Sequence, residues 1–225
     1  MNTRRLVQIV MVLFVLASSA TASAFNYTGW QKGPWEFHKE KKGMKMWLNE
    51  EVPTGVHGVR VDTVVDLPPH DIFPILMDEK RQSEYSFIRE FKILKRYDRW
   101  GYLYQRVKAT GIQDRDFTVR LVMLYPEVAN GGPYGWVWTQ ANDKGPPERD
   151  GVVRATVVAG SYVLTPLKGG RTHISYRLWF DPSSWVPDFL INNAVRNGAF
   201  ETVEQLRKEA DLIKSGKHPT ISKAD

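Results

Sequence analysis

The sequence predicts an α+β fold in which a curved antiparallel sheet of about nine strands carries one long C-terminal helix over a hydrophobic cavity. Three observations predict it. Segments of alternating apolar and polar residues follow one another with only short turns between them. An amphipathic stretch long enough to cover such a sheet comes last, after the corner Asp181-Pro182-Ser183-Ser184-Trp185-Val186-Pro187. The first half of that stretch is poor in bulky side chains, so it leaves space where a core would otherwise close.

The elements are read in chain order. Trp35 to Lys39 and Lys45 to Asn49 alternate around Lys42-Gly43, the pattern of a hairpin, and a third strand runs from Val56 to Val65. Leu67-Pro68-Pro69-His70-Asp71 opens a helix, with proline near its first turn and an apolar stripe of Ile72, Phe73, Leu76 and Met77. A short helical or irregular stretch continues to about Phe87. Phe91 to Tyr97 and Tyr102 to Ala109 form a hairpin about Asp98-Arg99-Trp100-Gly101. Phe117 to Tyr125 and Tyr134 to Gln140 follow, joined through Ala129-Asn130-Gly131-Gly132-Pro133. Val152 to Leu164 and Thr172 to Phe180, paired across Lys168-Gly169-Gly170, complete the sheet. The stretch 142–151, rich in Gly, Pro and charge, reads as a solvent loop or a second gate.

The helix is expected from about Pro187 to Ile213. Its stripe of Ile191, Val195, Ala199, Val203, Leu206, Ala210 and Ile213 recurs at steps of three and four and lies against the sheet. From Val203 onward bulky residues and a charged opposite face describe a core helix. Between Ile191 and Thr202, by contrast, Asn192, Asn193, Asn197, Gly198, Ala199 and Thr202 are poor filling for a close-packed interior. Small residues facing a curved sheet leave an apolar space, and such a space suits an apolar ligand.

The N-terminus bears on compartment. Arg4 and Arg5 precede an apolar run from Leu6 to Ala17 that ends in Ala22-Ser23-Ala24, the pattern of a secretory signal cleaved after Ala24. The expected organisation is therefore a signal at 1–24 and one domain at 25–225, exported to the periplasm or secreted. The run is shorter than the roughly 20 residues of a spanning helix. The chain has no cysteine, so no disulfide staples the exported domain and its core must hold it. The net charge of +6 falls to about +4 once the two signal arginines are removed. This mild excess, without a dense Lys/Arg block, favours approach to anionic lipid surfaces and gives no footing to nucleic-acid binding.

Arg115-Asp116-Phe117-Thr118-Val119-Arg120, Val153-Arg154-Ala155, Leu164-Thr165-Pro166-Leu167, Thr172 to Phe180 and the corner at Asp181 stand in an order and spacing that resemble a START domain, the lipid-carrying helix-grip module. The resemblance runs from about Trp35 to about Leu212. It implies one phospholipid, fatty acid, sterol or hopanoid-like molecule held beneath the C-terminal helix without chemistry or cofactor. It also implies transient contact with a membrane, a monomer, and a mobile loop at the mouth, here Thr110-Gly111-Ile112-Gln113-Asp114. In sterol-carrying members an arginine at the position of Arg120 pairs with an acid on the preceding strand. Here that strand, Tyr102-Leu103-Tyr104-Gln105-Arg106, carries none.

The expected lipid-binding residues are Arg120, Thr118, Val122, Tyr104, Trp138, Ile191, Asn192, Val195, Ala199 and Thr202, with Gly111, Ile112 and Trp185 as gating residues. Alternation puts Arg120 on one face with Asp116, Thr118, Val122 and Leu124. An inward guanidinium needs a partner, which is either the acidic group of a ligand or backbone carbonyls and Asp116. Trp185 either packs at the corner or sits at a lid hinge. Trp136, Trp138 and Trp179 stand on strands where they line a cavity or fill a core. Arg115 and Asp116 are expected to fix the loop to the strand, and Arg154 to sit in an ion pair. Because helix-grip proteins include cyclases and hydrolases, an enzyme on a hydrophobic small molecule is the alternative, with His173 and Tyr104 as its acid/base pair; a protein-binding module is the third reading. The five histidines show no metal-ligand spacing.

Overall fold

The computed structural model describes residues 33–49, 56–108, 111–124, 133–183 and 187–219, without the side chains of Met77, Asp188, Phe189, Ile191 and Asn192. The proposed signal at 1–24, the turn residues 129–132 and Trp185 lie outside the described residues. Ten strands build one sheet: β1 (Glu36–Lys41), β2 (Met44–Asn49), β3 (His57–Val65), β4 (Ile88–Arg96), β5 (Trp100–Val107), β6 (Asp114–Met123), β7 (Tyr134–Gln140), β8 (Val152–Arg154), β9 (Thr156–Leu167) and β10 (Arg171–Asp181). Their order is β1-β2-β3-β10-β9-β7-β6-β5-β4, antiparallel throughout, with β8 added parallel to β6.

Each hairpin follows from its turn. Lys42 and Gly43 both have positive φ, at 55° and 71°, as a two-residue turn of the primed type requires. Bulges between Phe37 and Lys39, between Ile93 and Lys95, and between Trp179 and Phe180 add local bend and twist, which curls the sheet.

Two elements depart from expectation. The helix after Leu67 is α1 (Pro69–Ile72), and it passes into a 3-10 turn, Phe73–Met77, where Pro74 removes an amide donor from the helical ladder. Asp78 then caps α2 (Glu79–Ser83) by accepting from the Arg81 amide at 3.0 Å. The strand expected from Val152 to Leu164 is broken at Ala155, whose amide donates to the Asp116 carbonyl at 2.9 Å. This holds β8 against β6 and releases β9 to pair with β7 and β10.

Helix α3 (Asp188–Lys214) packs on β2, β3 and β10. Val203, Leu206, Ala210 and Ile213 are buried in one core with Met44, Met46, Val59 and Val61. Each of the Val, Leu, Ile and Met side chains among them contributes about 1.5–3 kcal/mol by leaving water. The turn at Lys42 is tied to the helix: Lys42 pairs with Glu204, and its carbonyl accepts from Arg207. The charged side of α3 is not wholly solvated as the sequence implies. Glu209 is fully buried, receiving Arg81 of α2 at 2.8 Å, Gln205 at 3.0 Å and His218 at 3.0 Å.

Candidate functional site

The first half of α3 roofs a cavity of about 450 Å³. Leu190, Ala194, Val195, Gly198, Ala199 and Thr202 face down from the helix, and a Cβ built on Gly198 would meet nothing within 4 Å. Below, β6 contributes Arg115, Phe117, Val119 and Leu121, and β7 contributes Trp136 and Trp138. Tyr162 comes from β9, and Tyr176, Leu178 and Phe180 come from β10. Leu103, Gln105 and Val107 of β5 form a side wall, with Lys108 and Ile112 at one end. Gly160 makes room for this floor, since a Cβ there would come within 2.3 Å of the Trp138 ring lying across it.

The predicted residues divide sharply. Trp138, Val195, Ala199, Thr202 and Ile112 line the cavity. Gly111 lies beside Ile112 with φ 82°, exposed and outside the lining. The side chains of Ile191 and Asn192 lie outside the described residues, though both stand in α3.

Arg120, Thr118, Val122 and Tyr104 require correction, because β6 shows the other face to the cavity. Arg115, Phe117, Val119 and Leu121 point inward, so the even-numbered residues of the strand point out. The register carries this across to β5, where Tyr104 lies opposite Thr118 and Tyr102 opposite Arg120. Arg120 is exposed and its guanidinium lies 4.9 Å from the Trp100 ring centroid. Thr118 is buried beneath the Asn142–Lys144 turn, its amide donating to Asn142 Oδ1 at 2.8 Å. Asp116 accepts the Tyr104 hydroxyl at 3.0 Å and the Arg154 guanidinium at 2.8 and 3.2 Å, while Arg149 also donates to Tyr104. Burial, and then the Asp116 carboxylate, push the Tyr104 hydroxyl above its ordinary range; the hydrogen bond to Asp116 raises the Arg154 guanidinium. This outer cluster is the ion pair foreseen for Arg154.

The acid/base pair weighed for an enzyme is not assembled. His173 faces Asp62 at 3.6 Å, Tyr104 faces Asp116, and neither lines the cavity. Trp179 also turns away and packs on Trp35, with ring centroids 5.2 Å apart.

Sequence reasoning missed Arg115 as a cavity residue. It is buried, it donates to the Gln113 carbonyl, and burial pushes its guanidinium below the ordinary arginine range. Lys108 stands at the same end, because Val107 lies opposite Arg115 in the register. Tyr162 and Tyr176 were also missed. Their rings lie 4.9 Å apart against Trp138, and burial pushes both hydroxyls well above the usual tyrosine range. The hydrophobic alternation Phe117-Val119-Leu121 was the signal available for the correct face.

A curved sheet gripping a long helix over a largely apolar cavity, with these motifs in this order, narrows the family. The START domain family model matches residues 19–214. The chain belongs to the START domain family. Human StAR-related lipid transfer protein 5 shares the fold at a TM-score of 0.73 and 15% identity, covering 83% of this chain and 92% of that one. The STAR-related lipid transfer protein of Xanthomonas axonopodis does so at 0.67 and 20% identity, covering 79% and 98%. In sequence the START chain is 25% identical over 194 residues to the mitochondrial steroidogenic acute regulatory protein of Mus musculus, spanning 83% of this chain and 65% of the mouse protein.

Proposed function

We propose that this START protein encloses a single hydrophobic lipid beneath α3 and carries it through the periplasm between membranes as a soluble monomer. The observation that carries the reading is the cavity of about 450 Å³ roofed by small residues of α3 and walled by aromatic and aliphatic side chains. That volume lies within the range of sites that bury most of a small ligand. The lipid-transfer names of the relatives agree with it, and they are names of those proteins.

Two features support carriage over permanent storage. The roof is one helix whose C-terminal half is anchored through Val203, Leu206 and Ile213, while its N-terminal half covers the space with smaller groups. The lining also ends in Ile112, beside a glycine in the left-handed region. Export rests on the signal-like pattern before Ala24.

The deciding experiment is native mass spectrometry of the protein recovered from the periplasm of its own cells, followed by organic extraction. One lipid per chain, released into acceptor vesicles, is the expected result. A bare mass together with no uptake from mixed vesicles would end the carrier reading.

A further inference from the structure

We infer that the end of the cavity lined by Trp136 is a subsite for a neutral oxygen, the hydroxyl or carbonyl of an amphiphile; this rests on the carrier reading. Trp136, Tyr162 and Tyr176 occupy one row across three adjacent strands, Trp136 opposite Tyr162 and Tyr162 opposite Tyr176. All three line the cavity. The Trp136 indole is buried and stacked on Phe73, with centroids 5.6 Å apart and planes 8° apart, which fixes the direction of its N–H. That N–H has no hydrogen-bond partner among the described residues. Tyr162 and Tyr176 stand beside it on the same wall, their ring centroids 4.9 Å apart.

Buried donors left in this state are uncommon, since the great majority of such groups are paired. An indole N–H only donates, and a tyrosine hydroxyl both donates and accepts. Three neutral groups on one wall therefore match an oxygen that accepts and can donate in return. They do not match a carboxylate or phosphate, whose desolvation calls for an opposing charge. The cations that line the cavity, Arg115 and Lys108, stand at the other end, eight residues back along β6 from the Met123 position that faces Trp136, or about 26 Å of strand. An alkane filling the Trp136 end would displace water and leave three polar groups unpaired, at a cost of about tenfold in affinity for each.

The test uses three probes of equal chain length, dodecan-1-ol, dodecane and dodecanoate, each displacing 1-anilinonaphthalene-8-sulfonate from the full chain. Wild type is expected to favour dodecan-1-ol over dodecane by about tenfold or more, and the shape-conserving variants Tyr162→Phe and Tyr176→Phe to cut that preference about fivefold each, in part by binding dodecane more tightly once the unpaired hydroxyl is gone. In wild type, the Trp136 indole N–H proton resonance should move downfield with dodecan-1-ol and stay in place with dodecane. Equal affinity for alcohol and alkane, unchanged in both variants, would overturn the subsite and leave the carrier reading standing. Strongest binding of dodecanoate, lost in the two variants, would overturn its neutral character. Entry of no probe at all would overturn the carrier reading together with the subsite.

Discussion

Arg81 of α2 donates to Glu209 of α3 at 2.8 Å, joining two elements 128 residues apart at a carboxylate with no exposed surface. The hydrogen bond to Glu209 raises the Arg81 guanidinium above its ordinary range. Removing one member of a buried pair leaves an uncompensated charge, so Arg81→Met is expected to cost about 3 kcal/mol, the low end for such pairs because His218 and Gln205 still meet Glu209. Glu84, which also meets Arg81, has a side chain about half exposed, and Glu84→Gln is expected to cost less than about 0.5 kcal/mol. Urea unfolding of the two variants measures the contrast. Similar losses for both would mean that burial of Glu209 adds nothing.

Gly198 supplies the most direct control of cavity volume. Its Cβ direction is open, so Gly198→Ala is expected to stabilise α3 by about 0.5–1 kcal/mol while leaving uptake intact. Gly198→Leu should stay folded and lower lipid uptake by at least about tenfold, since the added side chain occupies the ligand's space. Thermal melting and fluorescent-lipid titration report the two effects separately. Undiminished uptake by a folded Gly198→Leu would place the ligand elsewhere.

On β6 the two faces predict opposite outcomes. Arg120→Met removes an exposed cation from the Trp100 ring, so stability should fall by at most about 1 kcal/mol and binding of acidic and neutral lipids should not change. Val119→Asp puts an unpaired carboxylate into the cavity wall and should abolish uptake. Loss of acidic-lipid binding in Arg120→Met would return that residue to the site.

The facing of β6 depends on contacts that its own residues do not encode. The strands, their order and the α3 stripe were legible because alternation and helical period are local signals, and they placed Val195, Ala199 and Thr202 over the cavity. Facing is not local. A strand carrying Asp116, Thr118 and Arg120 on one side and Phe117, Val119 and Leu121 on the other declares its apolar side, but Arg115 shares that apolar side and the family resemblance weighted Arg120 instead. On the polar side Asp116 and Thr118 are buried nonetheless, beneath Arg149, Arg154 and the Asn142–Lys144 turn, and no periodicity in β6 announces that cover. Glu209 was hidden for the same reason, because its partner stands 128 residues away.

Asp62 sets an acid dependence. Burial raises its carboxyl, but hydrogen bonds from His173 and Arg60 outweigh that and hold it below the ordinary aspartate range. A depressed folded pKa contributes stability that is present above the unfolded value, near 3.8, and is lost as pH falls through the lower folded value. The wild type should therefore lose stability as pH drops below about 4. Asp62→Asn should be less stable near neutrality and show a shallower loss over that acid window. Melting curves across pH 2 to 7 (on the order of one step per pH unit) check it, and parallel acid limbs for the two proteins would exclude Asp62 as a source.

Ile112 separates holding a lipid from releasing it. The side chain lines the cavity, and the residue before it holds φ 82° with open space at its Cβ direction, so Ile112 is the apolar contact this turn makes with the cavity. Trimming that contact with Ile112→Ser removes apolar cover worth roughly 1–2 kcal/mol, which is expected to speed lipid release to acceptor vesicles by about tenfold. The melting temperature should move little, because Ile112 is not part of the core beneath α3. Gly111→Ala acts on the same segment through its backbone, since an alanine at φ 82° is strained, and it should perturb release without touching the lining. Stopped-flow transfer of a fluorescent lipid distinguishes the cases. Faster release with unchanged capacity assigns the exit to this segment, whereas release at the wild-type rate in both variants moves the exit to the N-terminal half of α3.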